Sequence, residues 1–308
     1  MSLPKISIII PSFNQGKYLE ETLLSVFNQK YQDLEIIVID GDSQDNSVDI
    51  IKKYACDLAY WVSERDHGQT HAINKGLAKC TGDVWSYLNS DDLLLPGSLS
   101  RIAHVFQSED VNWVGASSEV FDETGNRGYI IPQKPTFMRE YLTPWNRSTK
   151  HVFPCSNVSF MSRKILEKCG HFDESYSYGM DIEYYLRTIF KAGFKSYLIP
   201  DILGKWRWHR ESKTLKQGIA YGFREDEVRM ALNYLSYLSL SEQNMIAQEI
   251  QQQQRWLVTR RAMFYRQHKQ RKMAWSELIS NLQHYPSLLY FRPWYGAIKL
   301  MLRDILLR

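Results

Sequence analysis

Two adjacent carboxylates, Asp91 and Asp92, follow the apolar run Val84-Trp85-Ser86-Tyr87-Leu88 and the polar pair Asn89-Ser90. Such a run reads as a buried strand, and carboxylates at the carboxyl end of a strand in an open α/β sheet stand in the crevice where these folds bind ligands. Side by side they repel unless a cation neutralises them, and with no thiolate near, magnesium or manganese suits them better than zinc. The same pair also fits the start of the next helix, as cap and first-turn acids. Asp40 ends a second apolar strand, where it either accepts hydrogen bonds from a base or ribose hydroxyl or closes an Asx-turn beside Gly41. Ser12 and Asn14 lie at the mouth of the first strand, open to the same two readings. Asp181 stands at the N-terminus of a helix with the apolar face Ile182, Leu186 and Ile189, and a cap explains it as well as a catalytic role does.

The elements that must position these residues alternate strand with helix, which implies a largely parallel sheet. Strands are expected near 5–11, 34–40, 58–63 and 83–88, with a later one over 195–199 before a turn at Pro200-Asp201, and helices near 17–29, 45–55, 69–79 and 96–107. The helix over 17–29 carries the periodic face Leu19, Leu23, Val26 and Phe27, and Asp45 is a fair N-cap for the helix over 45–55. No GxGxxG follows the first strand, and GxxxxGK[ST] and GxSxG are absent, which disfavours a dinucleotide dehydrogenase, a P-loop enzyme and a serine-elbow hydrolase.

At 308 residues, with 44% hydrophobic and 23% charged residues, the chain has the composition of a soluble globular protein with a sizeable core. Cys56, Cys80, Cys155 and Cys169 form no CxxC pair and read as reduced cysteines of a cytosolic protein. The short apolar run Ile6 to Ile10, ended by Pro11, reads as a strand rather than a secretory signal, and no stretch is long enough for a membrane span. Charge divides the chain: from Arg255 to Arg308 there are 11 Lys and Arg against 2 Asp and Glu, whereas residues 1–254 hold 27 against 32.

Three ordered segments, Ile8-Ile9-Ile10-Pro11-Ser12-Phe13-Asn14, Ile36 to Ser47 with Asp40-Gly41-Asp42-Ser43, and Asn89-Ser90-Asp91-Asp92, resemble the signatures of family 2 glycosyltransferases. The resemblance continues through Glu64-Arg65-Asp66-His67-Gly68-Gln69, Ala72-Ile73-Asn74-Lys75-Gly76, Leu95-Pro96-Gly97, Gly179-Met180-Asp181-Ile182-Glu183 and Arg207-Trp208-His209-Arg210-Glu211-Ser212-Lys213-Thr214. It covers roughly residues 5–214. It implies a GT-A fold over 1–214, with a nucleotide-sugar half (1–110) and an acceptor half (111–214), followed by a helical extension over 215–308. It further implies an inverting, metal-dependent transfer from a nucleoside diphosphate sugar, with a leaning to uridine, onto a glycan or lipid-linked acceptor in cell-surface polysaccharide synthesis. Pro11, Ser12, Asn14, Asp40, Asp66, Asn74, Asp91 and Arg207 are then the substrate-binding residues, and Asp91, Asp92 and His209 the ligands of manganese or magnesium. Asp181 becomes the general base, with Glu183 as alternate, and Arg207 or Lys213 balances the leaving diphosphate. Asn89 departs from the family, whose members often carry Asp there.

Two other classes of protein fit the same residues less well. A sugar nucleotidyltransferase calls for a basic, glycine-rich loop after the first strand, and Pro11-Ser12-Phe13-Asn14 is not one. A non-catalytic sugar- or partner-binding module is disfavoured by the intact Asp40, Asp91, Asp92, Asp181 and His209. In the extension, helices are expected over 216–237 and 241–276. There Arg260, Arg261, Arg266, Lys269, Arg271 and Lys272 interleave with Trp256, Phe264, Tyr265 and Trp275. Such a segment suits an anionic membrane surface at 255–308, or equally a solvated face packing its rings inward, or an interface in a homo-oligomer. No nucleic-acid fold accompanies it. The expected location is cytoplasmic, peripheral at the inner face of the plasma membrane where the tail engages it.

Overall fold

The computed structural model describes residues 2–108, 110–131, 142–143, 155–212, 219–284 and 292–306. It divides into two compact units, one holding residues 2–131 and 155–212, the other the helices from Ile219 onward.

In the first unit, β1 (Ile6–Ser12), β2 (Leu34–Asp40), β3 (Tyr60–Ser63) and β4 (Val84–Tyr87) are parallel, in the order β3-β2-β1-β4. Between them run α1 (Gly16–Phe27), α2 (Ser47–Lys53) and α3 (Gln69–Leu77), and α4 (Ser98–Val105) follows the two-residue strand β5 (Leu93–Leu94). The sheet then continues through β8 (Ser159–Ser162), β6 (Trp113–Asp122) and β9 (Tyr197–Trp208) to β5, with β7 (Arg127–Ile131) beside β6. Near-continuous burial of β1, β2 and β4 explains why they read as unbroken apolar runs rather than alternating ones. Their side chains meet Leu19, Leu23 and Val26 of α1 and Leu99 and Ile102 of α4 in one core.

Four local expectations need correction. Asp45 is not the N-cap of α2, a position held by Asn46; its carboxylate instead accepts from the backbone of Gly16 and Ser47, tying α1 to α2. The strand expected at 195–199 runs on through Pro200-Asp201 to Trp208, because register shifts against β6 leave Pro200 outside the ladder, where its missing N–H costs nothing. On α6 (Met180–Leu186), Ile182 is only half-buried; Met180, Glu183, Tyr184, Tyr185 and Leu186 are buried, and the helix widens into a π-turn over Arg187–Lys191 that takes in the half-buried Ile189. In the second unit, the helix expected over 241–276 is two, α8 (Leu240–Gln267) and α9 (Arg271–His284), separated where Lys269 takes a φ of 60°. With α7 (Ile219–Tyr234) and α10 (Arg292–Leu306), and α5 (Arg163–Cys169) in the first unit, these complete the helices named here.

Glu35, at the start of β2, gathers the segments that lead into the site. It accepts hydrogen bonds from Ser7 on β1, from the backbone and hydroxyl of Thr81 (2.8 and 2.6 Å), and from Lys5 (3.2 Å). Burial by itself would raise its pKa, but these donors outweigh it and bring it to about 2. A depressed carboxylate stabilises the fold above its unfolded value and loses that contribution as the pH falls toward the folded one. Glu35→Gln should therefore cost about 2–3 kcal/mol at pH 7. Urea melts across pH should show the deficit shrinking between pH ~5 and ~2.

Candidate active site

The turn carrying Asn89-Ser90-Asp91-Asp92 leaves β4 and enters β5, and β5 pairs antiparallel with β9 through Leu93 and Lys205. That pairing delivers Arg207 and His209 to the two carboxylates. Thr22, buried on α1, donates to the carbonyls of Ser90 (3.0 Å) and Asp92 (2.9 Å). Gln69, the first residue of α3, donates to Asn89 Oδ1 (2.7 Å), and Asn89 Nδ2 donates to Asp92 Oδ2 (3.2 Å). An Asn at this departure from the family pattern can donate where a third carboxylate could only repel.

The two acids are not equivalent. Asp92 is fully buried, and its other oxygen accepts the Arg207 backbone N–H (3.0 Å). Burial pushes its pKa well up, and the charge of Asp91 adds to the rise against the two donors. Both Asp92 oxygens thus accept hydrogen bonds from within the turn and its neighbouring strand. Asp91 presents the accessible carboxylate. Its Oδ2 pairs with His209 Nε2 at 2.9 Å, and the His209 side chain is 1% exposed under the ring of Tyr18 at 4.7 Å. With the proton on Nε2, the lone pair lies on Nδ1, a buried atom with no hydrogen-bond partner among the described residues. Nδ1 lies on the far side of the ring from Asp91, so an ion held by both residues would take the place of the hydrogen bond at Nε2, where the 2.9 Å separation is close to that of two ligands on one ion. One carboxylate oxygen and one imidazole nitrogen fit manganese by donor type, and magnesium less well.

Arg207 does not face a diphosphate. Its guanidinium donates to the Asp91 carbonyl (2.8 Å) and to Glu21 (2.6 Å), and packs between the rings of Tyr18 and Phe121. It braces the turn that carries Asp91. Lys213 and Thr214 lie outside the described residues; Ser212 accepts from the His209 backbone N–H (3.2 Å) and fixes the strand end.

The nucleoside residues separate in the same manner. Asp40 is buried, with its oxygens accepting from the Ser43 backbone (2.9 Å), the Ser43 hydroxyl (2.6 Å) and the Ser63 hydroxyl (2.7 Å). It shapes the loop after β2. Asn14, in the left-handed region at φ 51°, accepts from the Gln44 backbone (2.8 Å) and donates its own N–H to Ser43 (2.8 Å), so the loops after β1 and β2 are laced together. Pro11 is buried opposite Ile39 and has no polar side-chain atom, which leaves its backbone carbonyl as the group it could offer. The open groups at this mouth are the Ser12 hydroxyl, buried without a partner among the described residues, and Phe13, which is 59% exposed. Asp66 approaches the same loop so closely that a Cβ on Gly41 would lie 2.8 Å from its carboxylate, which explains the glycine beside Asp40. Asn74 is turned elsewhere: its amide accepts from the Phe172 backbone (2.9 Å) and donates to the Phe172 carbonyl and Glu174 (both 3.0 Å), a correction to its expected place beside the nucleotide.

Asp181 is the second residue of α6, after Gly179 as N-cap, so it is not the cap itself. Burial pushes the pKa of Tyr87 well up, and the charges of Asp181 and Asp92 push it further, as Asp181 does for Tyr185. Both acids therefore act at the carboxyl end of β4. Glu183 is buried and paired with Arg187 (2.6 and 3.2 Å), so its carboxylate anchors that guanidinium.

Tyr18, Glu21, Thr22, Gln69 and Phe13 were not anticipated. Thr22 left a trace as a polar residue on the buried face of α1 between Leu19 and Leu23, whereas the partners of Tyr18, Glu21 and Gln69 are set by long-range pairing.

The sequence pattern described as glycosyl transferase family 2 matches residues 7–170, over half of the chain. The chain belongs to glycosyl transferase family 2. Family 2 enzymes use nucleotide sugars, and the turn at Asp91 falls inside the matched span. An uncharacterized glycosyltransferase of Nostoc sp. is 38% identical over 121 residues, 38% of each chain. The GalNAc(5)-diNAcBac-PP-undecaprenol beta-1,3-glucosyltransferase of Campylobacter jejuni is 26% identical over 79% of this chain and 76% of its own. The chain thus spans well under half of the first relative and about three quarters of the second. S. aureus TarS 1-349 in complex with UDP superposes with a TM-score of 0.58 at 18% identity, over 85% of this chain and 73% of that one. Mannosyltransferase PcManGT from Pyrobaculum calidifontis, in complex with GDP-Man and Mn2+, does so with 0.55 at 16% identity, over 98% and 85%. These likenesses establish the GT-A fold of this family 2 glycosyltransferase.

Proposed function

We propose that this family 2 enzyme transfers a sugar from a UDP-linked donor to a hydroxyl of a lipid-linked glycan, by a single displacement that inverts the anomeric carbon. The observation that carries the reading is the pairing of the accessible Asp91 carboxylate with the buried His209, 2.9 Å apart, at the mouth of the sheet. Asp91 and His209 would hold manganese or magnesium, which when bound neutralises charge growing on the leaving diphosphate. Arg207, Thr22 and Asn89 fix the turn, Phe13 offers a stacking face for the base, and Asp181 takes the proton of the acceptor hydroxyl. UDP is favoured because the TarS structures were solved with UDP and UDP-GlcNAc, and a lipid-linked acceptor because the Campylobacter relative is named for one. A thermal-shift screen tests the donor: with Mn2+, UDP-sugars at about 100 times Kd should stabilise the enzyme by roughly 2.7 kcal/mol, and GDP-sugars should not. Stabilisation by GDP-sugars alone would move the donor assignment.

A lipid-linked acceptor favours a membrane contact. No helix among the described residues is long and apolar enough to cross a membrane. In the second unit, α9 and α10 expose Met273, Ile279, Tyr295 and Leu302 together with Lys272, Lys299 and Arg303. Arg261, expected to face the surface, is instead paired with Glu225 and Glu277 (both 2.8 Å), and Trp275 and Tyr265 pack on the small core around Trp294. The exposed cations are therefore the ones to test, each worth about 1 kcal/mol near an anionic leaflet. Replacing Lys272, Lys299 and Arg303 with Gln should abolish sedimentation with phosphatidylglycerol vesicles. Equal binding to neutral vesicles would contradict an electrostatic contact.

A further inference from the structure

A second group of metal-ligating side chains lies apart from Asp91 and His209. His67, in the loop before α3, and His71, one turn into it, stack their rings at 4.7 Å and 16°. Glu174 joins them from a distant part of the chain, and one donor atom from each of the three lies within 4.8 Å of the others. The arrangement is braced. Asn74, one turn beyond His71, donates to Glu174 Oε1 (3.0 Å) and grips the Phe172 backbone at both ends of its amide, so the carboxylate is held toward the imidazoles with its second oxygen left for a ligand.

We propose that His67, His71 and Glu174 form a second cation site, selective for zinc-class ions. Two imidazole nitrogens and one carboxylate oxygen are the donor set of three-ligand zinc sites that keep a water in the fourth position, and such a set discriminates against magnesium. Donors on a tetrahedral ion about 2.1 Å away sit roughly 3.4 Å apart, so the three side chains need rotate by only about an ångström to close on it. His67 and Glu174 are exposed and free to make that adjustment, and His71 is half-buried. In the metal-free chain the His67 backbone N–H donates to His71 Nδ1 (3.1 Å). Zinc takes the place of that donor, or binds Nε2 once the ring proton has moved to Nδ1. Binding would clamp the start of α3 to the segment around Phe172 and Glu174, the same two segments Asn74 already joins, and that segment leads into α6 and Asp181.

The test titrates zinc chloride into the full chain carrying Asp91→Asn, which weakens the other candidate site, and into the same chain with His67→Ala added. The first should bind one Zn2+ tightly, and the second should bind it at least 10-fold more weakly. Zinc should also slow amide hydrogen exchange over 170–178 only in the chain that retains His67. Because His67 is exposed, its loss leaves the fold intact, and unchanged melting of the metal-free variants verifies this. Glu174→Gln should weaken binding in the same direction. Equal zinc affinity with and without His67, or exchange that zinc leaves unaltered in both chains, overturns the proposal.

Discussion

Asp181→Asn should lower transfer by roughly 10²-fold or more while costing at most about 1 kcal/mol of stability. A sugar hydroxyl is a poor nucleophile at neutral pH, and only an ionised group within hydrogen-bond reach can take its proton as the new bond forms. Asp181 sits at the second position of α6, where its Oδ1 lies 2.9 Å from the Ile182 N–H. Asn keeps a local acceptor there and loses only a charge near the helix N-terminus, worth about 0.3–1 kcal/mol. The loss should therefore appear in kcat with KM nearly unchanged, the signature of an interaction made in the transition state. Glu183→Gln is the informative contrast. It leaves Arg187 without its carboxylate and should cost about 1.5–3 kcal/mol of stability, with turnover per folded molecule retained. Full turnover in Asp181→Asn with loss in Glu183→Gln would reverse the two roles.

The second large effect separates the paired acids. Asp91→Asn should remove metal-dependent transfer, again by about 10²-fold or more, because it replaces the accessible carboxylate beside His209 with a neutral amide, a far weaker ligand for a divalent ion. Asp92→Asn should be mild. Its environment already disfavours the charged form, and an amide oxygen still accepts the Arg207 backbone N–H. Initial-rate assays across a Mn2+ series should show saturation in Asp92→Asn and no metal response in Asp91→Asn.

What could be read from the sequence were residues whose role follows from local order. β1, β2 and β4 are buried on both faces, so their unbroken apolar runs announced them, and the acids at their ends followed by position alone. What could not be read was which of those acids had free oxygens. Asp40 and Asp91 look alike in sequence, each closing an apolar strand. Ser43 and Ser63 occupy the Asp40 carboxylate, whereas the Asp91 carboxylate meets His209, a partner that arrives 118 residues later through the pairing of β5 with β9. Arg207 misled for the same reason. A cation beside a metal motif invites a phosphate, but Glu21 on α1 and the Asp91 carbonyl claim it first. Pro200 concealed the length of β9, since a proline inside a strand is legible only once a bulge in its partner is seen.

The central claim is that Asp91 and His209 create a metal-dependent nucleotide site. Calorimetric titration of UDP into the wild-type chain and into Asp91→Asn, each with Mn2+ and with EDTA, tests it most directly. Wild type should bind UDP at least 10-fold more tightly with Mn2+ than with EDTA, and Asp91→Asn should bind it equally weakly in both. An unchanged metal dependence in Asp91→Asn would place the metal and the diphosphate away from this turn.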